Sequence, residues 1–335
     1  MEFRLSKWDG NPVLAPLPGS PWEELSVCNP GAWYEDGTFY LVYRAAGNDP
    51  EHIIRLGLAT SRDGFHFERA SDQPVFDISP AGPDGGSVED ARIVKFDGTF
   101  YVTYAYRPYP PGRYWEGGVH HPPSLPETAP IVERANQTNT GLAATTDFRA
   151  WRRLGRITQA GVDNRDVIIF PEKIGGRFVM LHRPMQWVGP EYGCDHPAMW
   201  LAFGDDLLTW GDDILLARGE QEWESKIGGS TPPLRTDAGW LILYHAVGPD
   251  SFYRVGIMML DLERPQRIIA RAPTFIMEPE FEYETRGLYN GCVFPVGNVV
   301  VDGTLFVYYG AADRFVCCAT APLDELVSFV LHYRR

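Results

Sequence analysis

No stretch of about 18 consecutive apolar residues occurs in this chain, which is the length that a membrane-spanning helix needs. The first residues carry charges where a secretory signal needs an apolar segment. We therefore expect a soluble protein that stays in the cytoplasm and has no membrane partner.

Paired cysteines and excess positive charge are missing too. The five cysteines are an odd number without CxxC spacing, and most lie in apolar segments, so we expect buried free thiols and no metal site. The net charge of −14 disfavours nucleic acid as a partner, because polyanions bind basic surfaces. Any cluster of Arg, Lys and His therefore stands out against an acidic background.

Long amphipathic helical patterns are also absent, which disfavours a fold that alternates strands and helices. The chain is instead rich in turn residues, with 34 glycines and 28 prolines among 335 residues. One pattern, a turn followed by a β-branched and aromatic stretch, occurs five times. The five copies begin at Gly37, Gly98, Gly176, Gly239 and Gly303.

This repeat predicts the architecture. Its glycines are separated by 61, 78, 63 and 64 residues, which gives each copy room for about four strands and their turns. A two-sheet sandwich is the alternative, but sandwiches do not repeat one signature five times. Residues 1–335 are therefore predicted to form a single all-β domain, a five-bladed β-propeller.

Because strands have a period of two, the repeat also serves as a coordinate system. The seventh residue after the glycine is an arginine in two copies, Arg44 and Arg183. Eight residues before the glycine lie Asn29 and Asp90 in the first two copies. The sixth residues after the glycines are Tyr43, Tyr104, His182, His245 and Tyr309. The strands run antiparallel, so these positions are expected at the same end of the fold.

Polar and charged residues at that end are expected to converge on one rim of the central channel. They are Asn29, Arg44, Asp90, Arg165, Arg183, Lys226 and His245. Cations packed together without an anion are unfavourable, and a phosphate would supply one. Asp90 is placed to act as an acid on a substrate at the axis. Glu89 is one residue out of phase, so we expect it to face away and to pair with Arg92 or a neighbouring blade.

A Pro- and His-rich insertion at about residues 107–135 accounts for the longest spacing. We expect a loop over the rim that either shapes substrate access or contacts another copy of the chain in a homo-oligomer. Its aromatic residues either stack on sugar faces or simply pack. A metal site at His120 and His121 has no support, because adjacent histidines in an extended segment point apart.

These motifs resemble those of glycoside hydrolase family 130, whose members are inverting β-mannoside phosphorylases and related hydrolases with five-bladed propellers. The similarity covers nearly the whole chain. The motifs that carry it are residues 11–14 (NPVL), 29–32 (NPGA), 89–92 (EDAR), 170–173 (FPEK), 244–245 (YH), 290–295 (NGCVFP) and 309–313 (YGAAD).

The resemblance implies phosphorolysis of a terminal β-mannosidic bond in a manno-oligosaccharide or mannosyl disaccharide, which releases α-mannose 1-phosphate. It implies inorganic phosphate as co-substrate, no cofactor, and Asp90 as the general acid. The implied phosphate-binding residues are Arg165, Arg183, Lys226 and His245, and the implied substrate-binding residues are Asn29, Arg44, Asp313 and Tyr104.

Two alternatives stay open. The first is a β-mannosidase of the same family, in which Asp166, Glu224 or Glu280 activates water. An inverting hydrolase needs such a base about 6.5–9.5 Å from the acid, whereas a phosphate nucleophile needs cations that position it, and the cations favour the phosphorylase. The second is a sugar-binding propeller without catalysis, since one fold hosts many functions.

Overall fold

The structure is a computed structural model that describes residues 2–116 and 125–335. The chain is nearly all β, which confirms the predicted class. Its strands pair into five antiparallel units, and a single parallel bridge between Ile54 and Ser87 joins the first two. Across the described part of the chain, no helix is long and apolar enough to cross a membrane.

The units follow one another along the chain, except that the first strand belongs to the last unit. That strand is β1 (Ser6–Lys7). The first unit contains β2 (Ser26–Glu35), β3 (Thr38–Ala46), β4 (Ile54–Ser61) and β5 (Glu68–Arg69). The second contains β6 (Ser87–Phe96), β7 (Thr99–Arg107), β8 (Asn139–Thr145) and β9 (Trp151–Arg156). The third contains β10 (Asn164–Ile169), β11 (Phe178–Pro184), β12 (Met199–Gly204) and β13 (Gly211–Ala217).

The last two units complete the strand order. The fourth contains β14 (Lys226–Gly229), β15 (Leu234–Thr236), β16 (Gly239–Val247), β17 (Tyr253–Leu260) and β18 (Ile268–Arg271). The fifth contains β19 (Val293–Val301), β20 (Thr304–Ala311) and β21 (Phe315–Pro322), with β1 added outside β21. The helical segments described are a 3-10 turn at Tyr114–Glu116, α1 (Ile131–Arg134), α2 (Glu282–Thr285) and α3 (Leu323–Leu331).

Buried apolar clusters lie between neighbouring units. One joins the fourth and fifth units around Leu241 and Val307, and another joins the fifth unit to the first around Tyr308 and Leu41. Further clusters join the first unit to the second, the second to the third and the third to the fourth. Each unit thus shares a core with the units before and after it, and the last does so with the first. The five cysteine thiols are free and buried, as expected.

The turns between the first two strands correct one detail of the repeat. In units one, two and five this turn is Asp-Gly, with positive φ at both residues. In the fourth unit Gly239 already pairs with Thr236 and so lies one residue beyond the turn. The predicted alignment of that copy is therefore wrong by one residue. Tyr244 occupies the position expected for His245, and His245 takes the position of Arg44.

In four units, the buried tyrosine of the second strand belongs to a trio of hydrogen-bonded side chains. The tyrosine hydroxyl donates a hydrogen bond to a carboxylate that lies outside the strands. The same carboxylate accepts a hydrogen bond from a cationic side chain on the outermost strand of the unit. The trios are Tyr43, Glu23 and Arg69; Tyr104, Asp84 and Arg153; Tyr244, Glu224 and Arg271; and Tyr309, Glu284 and Lys7. In the third unit His182 replaces the tyrosine and approaches Asp213 of β13 at 3.1 Å. These contacts tie the inner and outer strands of each unit together.

We predict that Tyr244→Phe lowers the free energy of unfolding by about 1–3 kcal/mol, because a buried carboxylate loses its donor. The hydroxyl donates to Glu224 Oε1 at 2.5 Å and accepts from Arg271 Nε at 3.2 Å, and both partners are buried. Urea unfolding measures the change. Tyr40→Phe is the matched control, since that ring is only half-buried. An equal loss in both variants would contradict the role of the trio.

Candidate active site

The first strands of units one, two and three have the same irregularity at equivalent positions. Asn29 in β2, Asp90 in β6 and Asp166 in β10 have φ values of 47°, 56° and 54°, and each lies where the register shifts. Two residues of the first strand there face one residue of the second, which is a β-bulge. Asn and Asp tolerate this left-handed conformation better than most residues. All three side chains line one pocket.

The pocket gathers most of the predicted site. Six of the predicted residues line it: Asn29, Arg44, Asp90, Arg165, Arg183 and Asp313. Lys226 lies beside it, because its Nζ is 3.4 Å from the hydroxyl of the lining residue Tyr253. His245 is fully buried behind it, with its ring 5.8 Å from that of Tyr253. Elements from all five units therefore meet at this pocket.

Tyr104 is the predicted site residue that the structure does not bring to the pocket. It is buried against Phe76 and Tyr106, and its hydroxyl is 3.3 Å from Asp84 in the trio of the second unit. The bulge at Asp90 lies directly opposite Tyr104 in the ladder, but the tyrosine ring points into the core shared with the first unit. We therefore leave Tyr104 out of the candidate site.

Asp90 has the environment of an acid. Its Oδ1 accepts a hydrogen bond from Asn29 Nδ2 at 2.9 Å and lies 3.7 Å from Arg44 Nη1. Burial raises the pKa of Asp90 to about 6, against the opposing effect of Arg44, and the neighbouring Glu89 adds to the rise. A carboxyl group in this range still holds its proton in part of the molecules near neutral pH and is able to donate it.

Glu89 corrects the expectation from strand alternation. It lines the pocket instead of facing away, and its Oε2 is 3.0 Å from Arg44 Nη1 in the first unit. The bulge that begins at Asp90 breaks the period of two, so adjacent side chains face the same pocket. Glu89 was expected to pair with Arg92 or with a group in a neighbouring unit, and its partner Arg44 does lie in a neighbouring unit.

Asp166 joins three units at one buried carboxylate. Arg183 of its own unit contacts Oδ2 through Nε at 2.6 Å, and Arg92 of the second unit approaches Oδ1 at 3.4 Å. His245 of the fourth unit lies 3.4 Å from Oδ2. Burial alone would raise the pKa of Asp166, but Arg183, His245 and Arg92 outweigh it and hold that pKa well below its usual range.

The remaining cations differ in their partners. Arg165 makes two hydrogen bonds to the carboxylate of Asp163, at 2.6 and 2.9 Å. Burial and the nearby Arg183 lower the pKa of Lys226 to about 8. Burial also lowers the pKa of His245 to about 3, although Asp166 opposes the change, so this imidazole is neutral near pH 7. His245 therefore brings a hydrogen-bonding ring to the site and no charge.

The insertion reaches across the pocket. Tyr114 in its 3-10 turn donates a hydrogen bond at 2.6 Å to Asp313 Oδ2 of the fifth unit. Arg113 anchors the same turn on the first unit through the carbonyl and side chain of Asn48. Of the residues that the structure describes, those from 107 to 116 therefore place part of the insertion over the pocket. His120 and His121 lie outside the described residues.

Several lining residues were not among the phosphate- or sugar-binding residues predicted: Glu89, Arg92, Arg107, Tyr114, Asp166, Tyr253 and Tyr289. Of these, Asp166 was expected only as a base in the hydrolase alternative. Arg92 stands in the same short motif as Asp90, so this motif was the signal that could have found it. The equivalence of Asp166 to Asn29 and Asp90 was hidden because the count to the turn glycine differs in the third copy. Among the described residues, no group of three His, Cys, Asp or Glu side chains is placed to hold a metal ion.

The fold as a whole has counterparts among solved structures. It resembles the solved β-1,2-mannobiose phosphorylase from Listeria innocua, determined as a complex with β-1,2-mannobiose, with a TM-score of 0.79. That match covers 97% of this chain and 99% of the other at 24% sequence identity, which establishes the likeness of fold.

Sequence comparison gives the family. A family model described as β-1,4-mannooligosaccharide phosphorylase matches residues 132–332. The 1,2-β-oligomannan phosphorylase of Thermoanaerobacter sp. (strain X514) is 34% identical over 97% of this chain and 99% of its own length. The β-1,2-mannobiose phosphorylase of the same organism is 33% identical over 97% of this chain and 99% of its own length. The chain belongs to glycoside hydrolase family 130.

We predict that Gly228→Ala distorts the Asp166 cluster. A Cβ on Gly228 would lie 2.4 Å from Asp166 Oδ2 and 2.8 Å from Arg183 Nε, so the charged groups would have to shift. Overpacking of this kind costs about 1–3 kcal/mol of unfolding free energy. Thermal unfolding measures the loss. Gly211→Ala in β13 is the matched control, since a Cβ there meets nothing within 4 Å. Equal stability of the two variants would argue against tight packing at Gly228.

Proposed function

We propose that this chain is an inverting phosphorylase that cleaves terminal β-mannosidic bonds with inorganic phosphate and releases α-mannose 1-phosphate. One observation carries the proposal: the half-buried carboxyl group of Asp90, with a pKa raised to about 6, shares a pocket with the guanidinium groups of Arg165 and Arg183. Membership of a family whose model is described as a phosphorylase supports it.

In the proposed reaction, phosphate attacks the anomeric carbon from the face opposite the glycosidic bond. Asp90 supplies the proton that the leaving oxygen needs. The phosphate already carries negative charge, so it needs to be positioned and not deprotonated. We assign that role to Arg165, Arg183 and Lys226, with His245 as an uncharged partner.

The sugar is proposed to lie against Asn29, Arg44 and Asp313. Asn29 Oδ1 and Arg44 Nε are buried and have no hydrogen-bond partner within residues 2–116 and 125–335. Buried polar atoms are nearly always satisfied, so these two support a hydroxyl-rich ligand at this place. Tyr114 holds Asp313 from the side of the insertion and would border the bound mannosyl unit.

The contacts of the other carboxylates disfavour a hydrolase. Glu224 accepts from Tyr244 and Arg271, and Glu280 pairs with Lys7, so both are engaged outside the residues that line the pocket. Asp166 lines the pocket but is held by Arg183. None of these three is left as a base for water, which supports phosphate as the nucleophile.

We also propose that the five units are the blades of a five-bladed β-propeller, which would form one catalytic domain over residues 1–335 with the insertion at about 107–135. The apolar clusters that join each unit to the next, and the fifth to the first, support this arrangement. So does the pairing of β1 with β21, which brings the beginning and end of the chain into one unit.

The activity is tested by product analysis. β-1,2-mannobiose and β-1,4-mannobiose are each incubated with the protein, with and without inorganic phosphate, and mannose 1-phosphate and free mannose are measured. The β-1,2 bond is the first choice, because two relatives that match over nearly their full length are named for β-1,2-linked mannosides. Phosphate-independent release of mannose would overturn the proposal in favour of hydrolysis.

We predict that Asp90→Asn lowers kcat by about 100-fold to 10,000-fold, because general acid catalysis contributes that much. Binding of the mannoside, measured by isothermal titration calorimetry, should remain, since the amide keeps the shape of the carboxyl group. Asp9→Asn at an exposed position is the matched control. Full activity of Asp90→Asn would remove Asp90 from the mechanism and would fit a protein that only binds sugar.

We predict that activity falls as the pH rises through about 6, because Asp90 donates a proton and its raised pKa lies there. Above that value the protonated fraction falls about tenfold for each pH unit. The measurement is kcat/KM for the mannoside at saturating phosphate. A decline that begins near pH 4, the ordinary value of a carboxyl group, would show that Asp90 is not perturbed in this way.

A further inference from the structure

Arg107 ends β7 at the point where the insertion begins, and its guanidinium group lines the pocket. Its Nη1 donates to the backbone carbonyl of Asn136 at 2.7 Å. Because the carbonyl is neutral, this bond orients the guanidinium group but does not neutralise its charge. Arg107 therefore enters the pocket as an oriented cation with donors to spare.

Hydrogen bonds and burial fix the position of Asn136, whose carbonyl accepts this bond. Asn136 has a φ of 45° and is buried, and its side chain spans the first residues of the insertion. Its Oδ1 accepts from the Tyr109 amide at 3.0 Å, and its Nδ2 donates to the Tyr109 carbonyl at 2.9 Å. Hydrogen bonds thus join the two ends of the insertion to each other and to Arg107. Because the arginine side chain is already ordered, it loses less conformational entropy when it binds a ligand.

Most cations around the pocket already have carboxylate partners. Arg44 pairs with Glu89, Arg165 with Asp163, and both Arg92 and Arg183 with Asp166. Arg107 and Lys226 are different, because neither has a carboxylate within 4 Å among residues 2–116 and 125–335. Burial and the nearby Arg165 lower the pKa of Arg107, and Arg165 also contributes to the lowered pKa of Lys226. An added anion near Arg165 would relieve both.

The charge balance around the pocket leaves room for a dianion. Within residues 2–116 and 125–335, six cationic side chains surround the pocket: Arg44, Arg92, Arg107, Arg165, Arg183 and Lys226. The carboxylates among them are Glu89, Asp163, Asp166 and Asp313, when Asp90 holds the proton it donates. Six positive and four negative groups leave a surplus of two positive charges, and Arg107 and Lys226 are the two groups that supply it. Doubly ionised inorganic phosphate matches that surplus.

We propose that Arg107 is a further phosphate-binding residue, which meets the phosphate from the side of the insertion while Lys226 meets it from the fourth unit. This inference rests on the proposed phosphorolysis. It gives the insertion a part in binding phosphate, since the bond that Arg107 donates to the carbonyl of Asn136, at the end of the insertion, sets the direction of the guanidinium group. Arg107 acts on the nucleophile, whereas Tyr114 of the same insertion lies at the proposed sugar end of the pocket.

The test is a comparison of two Michaelis constants in Arg107→Gln. We expect KM for phosphate to rise by about tenfold or more, as loss of a charged hydrogen-bond donor predicts, and KM for the mannoside to change far less. Titration calorimetry of inorganic phosphate into the protein should show the same weakening. Arg134→Gln, on exposed α1, is the matched control for the lost charge.

Arg107→Lys keeps the charge but loses the planar fork, so its KM for phosphate should lie between those of the wild type and Arg107→Gln. If Arg107→Gln does not fold, as judged by circular dichroism, the same comparison is made with Arg107→Lys. A phosphate KM equal to that of the control, or a rise confined to the mannoside KM, overturns the inference. If the wild type shows no phosphate-dependent cleavage at all, the proposed function itself fails, which is a separate result.

Discussion

The buried carboxylate of Asp166 is the contact on which the pocket depends. A carboxylate without water is costly, and close cations are needed to offset that cost. Here two cations, Arg92 of the second unit and Arg183 of the third, approach the carboxylate, and the neutral ring of His245 packs beside it from the fourth unit. The directions of these side chains are therefore coupled, since none can move without exposing the same charge. Gly228 completes the arrangement, because only the absence of a Cβ lets the cluster pack onto the fourth unit.

The bulges and the trios have different roles: the bulges direct side chains into the pocket, and the trios join the strands of a unit. In the outer part, a tyrosine, a carboxylate and a cation tie the strands together in four units. In the inner part, a left-handed residue opens the ladder and turns a polar side chain toward the pocket in the first three units. A bulge weakens the local ladder. Opposite the bulge, the second strand carries the tyrosine of the trio in the first two units and His182 in the third, so this strand is held from the other side.

Much of this could be predicted from the repeat. The all-β class followed from the repeat, and counting along its copies brought Asn29, Arg44, Asp90 and Arg183 to one end of the fold. Arg165 was expected there as the start of a strand, and Asp313 was implied only by the family resemblance. Counting from the turn glycine gave the wrong position where a turn or a β-bulge adds or removes one residue. The turn before Gly239 shifted the alignment at His245, and the bulge at Asp90 turned Glu89 into the pocket. Tyr104 was misplaced because its position at the strand end says nothing about which side of the sheet it faces.

The amino-acid pattern alone was enough for the number of units and for the gathering of cations and Asp90 at one end, because these depend on local turns, strand period and residue type. The pairing of charges depended on the packed chain. Groups that lie far apart in sequence decide three of these charges. They decide whether Asp166 balances the charge of Arg183, whether His245 is neutral, and whether Arg107 has a carboxylate partner among the described residues. Burial and distance determine those charges, and both arise only when the units pack against one another.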